Sequence, residues 1–235
     1  MLGPTTSKAS TVLHDAWTRL GFGAPTGIDV AGEVPGLVRD PAVAPWQQID
    51  LANGSFGQGV AVTLLQLATA YSAMVNGGTL PTPHVVKATG DTPTSTAGRG
   101  RVMTPALAAN LTAIMERVVN VVPFYRDRTL IPGYLVGGKT GTAQIWDSKA
   151  GRFRTDVYNF SFVGFVGRTA PELVVAVRIG EGKPIVNVPG DMENAVESFE
   201  LFRRIATDAM TTLDLPPVRS ASSASASAPA ASAHP

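Results

Sequence analysis

The chain has 235 residues, is 44% hydrophobic and 16% charged, and carries a formal net charge of +1. That balance fills a core for one domain and leaves no large basic patch, so nucleic acid is not an expected partner. Cysteine is absent, which removes disulfides, thiolate zinc sites and a cysteine nucleophile.

His14, His84 and His234 have no ligand-spaced partners, so no metal site is expected. No apolar run reaches the roughly 18 residues that cross a bilayer. The opening Met1-Leu2-Gly3-Pro4 lacks the apolar centre of an export signal.

In chain order, Leu13, Trp17 and Leu20 recur at helical spacing, which predicts a helix over Ser10 to Leu20 that stops at Gly21. Gly32 to Trp46 is rich in proline and glycine and reads as irregular loop, with Asp29 and Glu33 as solvated charges. Phe56-Gly57-Gln58-Gly59 precedes a helix capped by Thr63, with Gln66 at the capping-box position. Its apolar face is Leu64, Leu67, Ala68, Tyr71, Met74 and Val75, and Asn76-Gly77-Gly78 ends it.

His84 to Lys87 reads as a short strand, and Asp91 to Arg101 as a loop. Thr104 as cap and Pro105 at the first helical position open a helix whose apolar face is Leu107, Leu111, Ile114, Met115 and Val118. Arg126-Asp127-Arg128 reads as a charged turn. A hairpin turn is expected at Asp147 to Gly151. Strands are expected over Tyr158 to Val166 and Leu173 to Ile179, giving an antiparallel meander.

Asn194 is expected to open a last helix, with Glu197 at the capping-box position and Val196, Phe199, Phe202, Ile205, Ala206, Ala209, Met210 and Leu213 facing the sheet. From Pro216 to Pro235 the chain is proline, alanine and serine. It is expected to be a disordered tail behind a domain over residues 1–215. The architecture is α+β, an antiparallel sheet packed with helices.

The chemistry concentrates in Val136-Gly137-Gly138-Lys139-Thr140-Gly141-Thr142-Ala143-Gln144-Ile145, an anion-binding packet of one ammonium, two hydroxyls and three glycines. Two readings compete. Gly133 to Thr140 matches the phosphate-loop pattern in full, but such a loop must open a helix, and the residues after Thr140 read as strand. The other reading makes Lys139-Thr140-Gly141 a strand of the meander, the Lys-Thr-Gly element of serine acyl-transfer sites.

On the second reading the ordered set Gly21-Phe22-Gly23, Thr26-Gly27-Ile28-Asp29, Gly32-Glu33-Val34-Pro35-Gly36, Phe56-Gly57-Gln58-Gly59, Asn76-Gly77-Gly78, Gly138-Lys139-Thr140-Gly141-Thr142-Ala143-Gln144 and Asn159-Phe160-Ser161-Phe162-Val163-Gly164-Phe165 resembles the C-terminal part of the transpeptidase domain of class B penicillin-binding proteins. These are the D,D-transpeptidases of cell division and cell elongation, in the serine β-lactamase/transpeptidase-like superfamily.

The resemblance implies a cofactor-free acyl transfer on a peptidoglycan stem peptide ending in D-Ala-D-Ala, which β-lactams imitate. It implies that Lys139, Thr140, Gly141 and Thr142 hold the substrate. Lys139 would give electrostatic support to a carboxylate, and the Thr142 backbone N–H would donate into an oxyanion hole. It also implies divisome or elongasome membrane proteins as partners of the full-length form, at the extracytoplasmic face of the bacterial inner membrane.

The sequence contains no Ser-x-x-Lys and no Ser-x-Asn, the family's other two elements; Thr5-Thr6-Ser7-Lys8 gives only Thr-x-x-Lys. The chain is therefore expected to be a fragment lacking the nucleophile and inactive alone. The alternative is a non-catalytic binding or scaffold module that keeps part of the fold, with Lys139 a solvated strand lysine.

Overall fold

The computed structural model describes residues 4–185, 193–194 and 197–218. Its centre is a three-stranded antiparallel sheet of β3 (Leu135–Asp147), β4 (Arg152–Gly167) and β5 (Leu173–Gly182), in the order β3-β4-β5. The expected meander is present, with longer strands than the apolar runs indicated. The helices are α1 (Pro4–Arg19), α2 (Gln48–Ser55), α3 (Leu64–Val75), α4 (Pro105–Val121), α5 (Pro123–Thr129) and α6 (Ser198–Thr212). Two small pairs complete the described residues: β1 (Ala88–Thr89) with β2 (Thr92–Pro93), and β6 (Pro184–Ile185) with β7 (Glu193–Asn194).

The register divides the sheet into two faces. Gly137 pairs with Phe165, and a Cβ on Gly137 would lie 2.3 Å from the Phe165 ring and 2.9 Å from the Glu116 backbone nitrogen, so α4 presses on that face. Gly138 pairs with Gly164 on the other face, where Phe162 meets Phe202 of α6 at a ring separation of 4.7 Å. The core follows this second face: Val136, Phe162, Val166 and Val177 from the sheet, with Phe199, Phe202, Ala206 and Met210 from α6. The alternation of apolar residues along β4 and the helical spacing along α6 are what bring these side chains together.

The caps at Thr63 and Thr104 form as expected: Thr63 Oγ1 accepts from Gln66 N, and Thr104 Oγ1 from Leu107 N. Gln66 does more than complete its box. Fully buried, it donates to the carbonyls of Ala24 and Pro35 at 2.8 Å each and ties the irregular loops to α3.

Several expectations are corrected. The first helix starts at Pro4, so Thr5-Thr6-Ser7-Lys8 is helical, and α2 forms where no element was expected. Arg126-Asp127-Arg128 lies within α5, a helix started by Pro123 at its first position, not a turn. The apolar face of α4 is only partly covered among the described residues: Leu107 and Ile114 are exposed. The last helix begins at Ser198 with Glu197 as its N-cap, and Asn194 belongs to β7; Val196 lies outside the described residues. Ile205 and Leu213 are exposed, while the rest of the α6 face is covered. The expected tail begins outside the described residues except for 216–218, where Val218 N donates to Gly133 O.

His84 to Lys87 is irregular, and the reason is Asp29. Its carboxylate accepts from Val85 N at 2.8 Å and Val86 N at 2.9 Å, so these donors are not available to a ladder. Glu33 likewise accepts from Thr26 N and Gly27 N. Asp29 is exposed and Glu33 is half-buried, and neither is merely solvated. The Val85 and Val86 donors hold the Asp29 pKa below its ordinary value. A depressed carboxylate stabilises the fold at pH above its unfolded pKa of about 3.9, and that contribution is lost as pH falls through the lower folded value. Asp29→Asn is therefore expected to lower the melting temperature at pH 7, with the difference from wild type shrinking below about pH 4. A difference that stays constant from pH 7 to pH 3 would contradict this role for Asp29.

Candidate active site

β3 is an edge strand, and Lys139, Thr140, Gly141 and Thr142 lie at its middle. The phosphate-loop reading of Gly133 to Thr140 fails here. Gly138-Lys139-Thr140 is extended and paired with Val163 and its neighbours, and strand follows Thr140 where that loop needs a helix.

Two of the glycines are required by packing. A Cβ at Gly138 would sit 2.6 Å from the Phe162 ring, and one at Gly137 would strike Phe165 and α4. Both let the core close over the strand. At Gly141 the nearest atom is Ser161 Oγ, 2.6 Å from a Cβ position, the end of a side chain that can rotate away, so packing does not by itself demand glycine there.

The hydrogen bonds identify which backbone groups face outward. Lys139 Nζ donates to Thr140 O at 3.0 Å, and Gln58 Nε2 approaches Gln144 O at 3.5 Å; both come from outside the ladder with β4. In an antiparallel strand the N–H and C=O of one residue point to the same side, and successive residues alternate. Thr142, midway between Thr140 and Gln144, therefore turns its N–H and C=O to the open edge. Ser161 Oγ meets Gly141 O from the β4 side, which agrees with that alternation.

The side chains form a compact polar group. Tyr125 of α5 shares a 2.6 Å hydrogen bond with Thr140 Oγ1. Lys139 Nζ donates to Tyr125 OH at 3.2 Å and approaches Thr140 Oγ1 at 3.4 Å. One exposed ammonium thus stands beside two hydroxyls and next to outward backbone donors, an array suited to a carboxylate and an oxyanion. Sequence reasoning found Lys139, Thr140 and Thr142 but missed Tyr125. Pro123 signals the helix that carries Tyr125, but nothing in the sequence places that helix beside Thr140. Among the described residues no group of three or more histidine or acidic side chains is placed to hold a metal.

A family model described as the penicillin binding protein transpeptidase domain matches residues 8–206. The chain belongs to that family. It is 36% identical over 178 residues to Stage V sporulation protein D of Bacillus subtilis, covering 72% of this chain and 26% of that protein. It is 34% identical over 200 residues to a probable peptidoglycan D,D-transpeptidase, PbpC, of Pseudomonas aeruginosa, covering 85% of this chain and 33% of that protein.

Among solved structures, penicillin binding protein 3 of Mycobacterium tuberculosis complexed with ampicillin superposes with a TM-score of 0.72 at 28% identity. The match covers 88% of this chain and 47% of that one. The transpeptidase domain of Burkholderia pseudomallei penicillin-binding protein 3 gives 0.69 at 30% identity, covering 89% and 62%. The chain therefore spans about a quarter to a third of the curated relatives' length, and its sheet with flanking helices is part of the penicillin-binding transpeptidase fold.

Proposed function

We propose that this chain forms the Lys-Thr-Gly wall of a peptidoglycan D,D-transpeptidase site. The observation that carries the proposal is the open edge of β3, with Thr142 N–H directed outward beside Lys139, Thr140 and Tyr125. A stem peptide ending in D-Ala-D-Ala would lie along this edge. Lys139, with the Thr140 and Thr142 hydroxyls, would hold its terminal carboxylate, and Gly141 would be the strand position beside its backbone. Thr142 N–H would donate to the oxygen that becomes anionic when a serine attacks the carbonyl. β-Lactams would occupy the same edge. No cofactor is needed, because the charge is stabilised by fixed donors.

The serine is not supplied by these 235 residues, which contain no Ser-x-x-Lys. The catalytic protein would be a longer, envelope-associated form on the outer side of the inner membrane, working with divisome or elongasome partners. No single helix among the described residues is long and apolar enough to cross a membrane. The chain alone, incubated with a fluorescent penicillin and denatured, is expected to give no covalent band. A band that survives denaturation would reveal a nucleophile within the chain and overturn this division of the site.

A further inference from the structure

Beyond Gln144 the β3–β4 hairpin carries a feature that the acyl-transfer reading does not use. Trp146 is 56% exposed and Phe153, its register partner, is 37% exposed. Their rings meet edge to face at 5.2 Å, so the indole is held in place while its surface stays open. The pairing of β3 with β4 shifts register between Gln144 and Trp146, and that of β4 with β5 shifts between Tyr158 and Phe160. Such irregularities re-aim side chains at the end of a sheet. Asp147 Oδ1 accepts from Lys149 N and Ala150 N and fixes the turn.

The pair opens onto a cleft of about 740 Å³. Its rim carries Lys149, Arg152 and Arg154 against Asp147, Asp156 and Glu181, so the positive and negative charges cancel. Arg154 is clamped by Asp156 at 3.0 Å and by Glu181 at 3.1 Å. Glu181 makes its contact from a left-handed backbone, φ 53°, which a non-glycine residue rarely adopts.

We infer that this hairpin cleft is a subsite for a neutral glycan, with a pyranose ring stacked on Trp146 and its hydroxyl and amide groups bonded to the balanced rim. The charge pattern decides the class of ligand. A nucleic acid or an anionic lipid surface needs an excess of cations, which the paired carboxylates remove. A neutral, hydroxyl-rich ligand uses donors and acceptors together and offers an aliphatic face to an aromatic ring.

The position deepens the proposed function and rests on it for the identity of the chain bearing the sugar. Trp146 lies four positions beyond Thr142 on the same strand, about 13 Å at roughly 3.3 Å per residue. An extended stem peptide with its D-Ala end at Thr142 spans that distance and delivers the amino sugar it hangs from to the indole.

The test uses the whole chain and the β-1,4-linked tetramer of N-acetylglucosamine, followed by saturation-transfer signals from its acetyl methyl groups. Saturable transfer is expected from the wild type. Trp146→Ala is expected to weaken it at least tenfold, and Trp146→Phe is expected to retain part of it, with circular dichroism unchanged in both because the side chain is exposed. The absence of saturable transfer, transfer that survives Trp146→Ala, or Trp146-dependent binding to anionic vesicles in place of the sugar would overturn the proposal. No acyl transfer is read in this experiment, so its failure leaves the labelling test of the proposed function untouched, and the converse also holds.

Discussion

Phe162→Ala is expected to destabilise the domain by about 3–5 kcal/mol, measured by urea unfolding. Phe162 is fully buried, its ring lies over Gly138 and Gly164, and it packs on Phe202 at 4.7 Å and near Tyr125 at 6.5 Å. The two glycines under the ring offer no side chain to fill the vacated space from the sheet side, which places the cost toward the upper part of the range. Small domains have a total stability of roughly 5–15 kcal/mol, so the variant should be close to unfolding. By contrast, Leu107→Ala, at a residue 48% exposed on α4, should change stability by about 0.5 kcal/mol or less. If both substitutions cost the same, the core does not lie where the structure puts it.

Thr142→Pro separates the backbone donor from the fold. Proline is tolerated on an edge strand where its missing N–H would have faced outward, and Thr142 occupies such a position. In a protein that joins this chain to a segment bearing Ser-x-x-Lys and Ser-x-Asn, the substitution is expected to slow acylation by a β-lactam about 10²–10³-fold, the usual effect of losing one oxyanion donor. Thr142→Ala keeps the N–H and loses only the hydroxyl, so its loss should be about tenfold, equivalent to roughly 1.4 kcal/mol. Equal losses in the two variants would mean that Thr142 acts through its side chain, and the orientation of the edge would then not matter.

The Lys-Thr-Gly strand was legible because its parts are local. Lys-Thr-Gly sits in a run of extended residues, and Phe160, Phe162, Gly164 and Val166 show the alternation of a strand with one buried face. The helices α3 and α4 announced themselves by Thr caps, and Pro105 reinforced the second. The misses share a cause: groups far apart in the sequence satisfy one another. His84 to Lys87 looks like a strand, yet Asp29 takes the donors that strand pairing would need.

The helix α2 has little apolar periodicity and is held at its N-terminus, where Asp50 accepts from Gln47 N and pairs with Arg39 at 2.6 Å. Tyr125 becomes part of the site only because the chain turns at Val122 and lays α5 over Thr140, which no spacing in the sequence encodes. The glycines of the motif were legible as glycines but not in their reason, since the rings that require Gly137 and Gly138 belong to the next strand.

On the proposed reading this chain supplies the substrate-holding wall and not the nucleophile. Covalent labelling by a fluorescent penicillin tests it most directly, applied side by side to the chain alone, to the joined protein with its Ser-x-x-Lys segment, and to the joined protein carrying Lys139→Ala. The expected result is no band for the first, a band for the second, and a band forming about 10²-fold more slowly for the third, the usual effect of removing a charge-assisted donor. A band from the chain alone, or equal labelling of the joined protein with and without Lys139, would contradict the account.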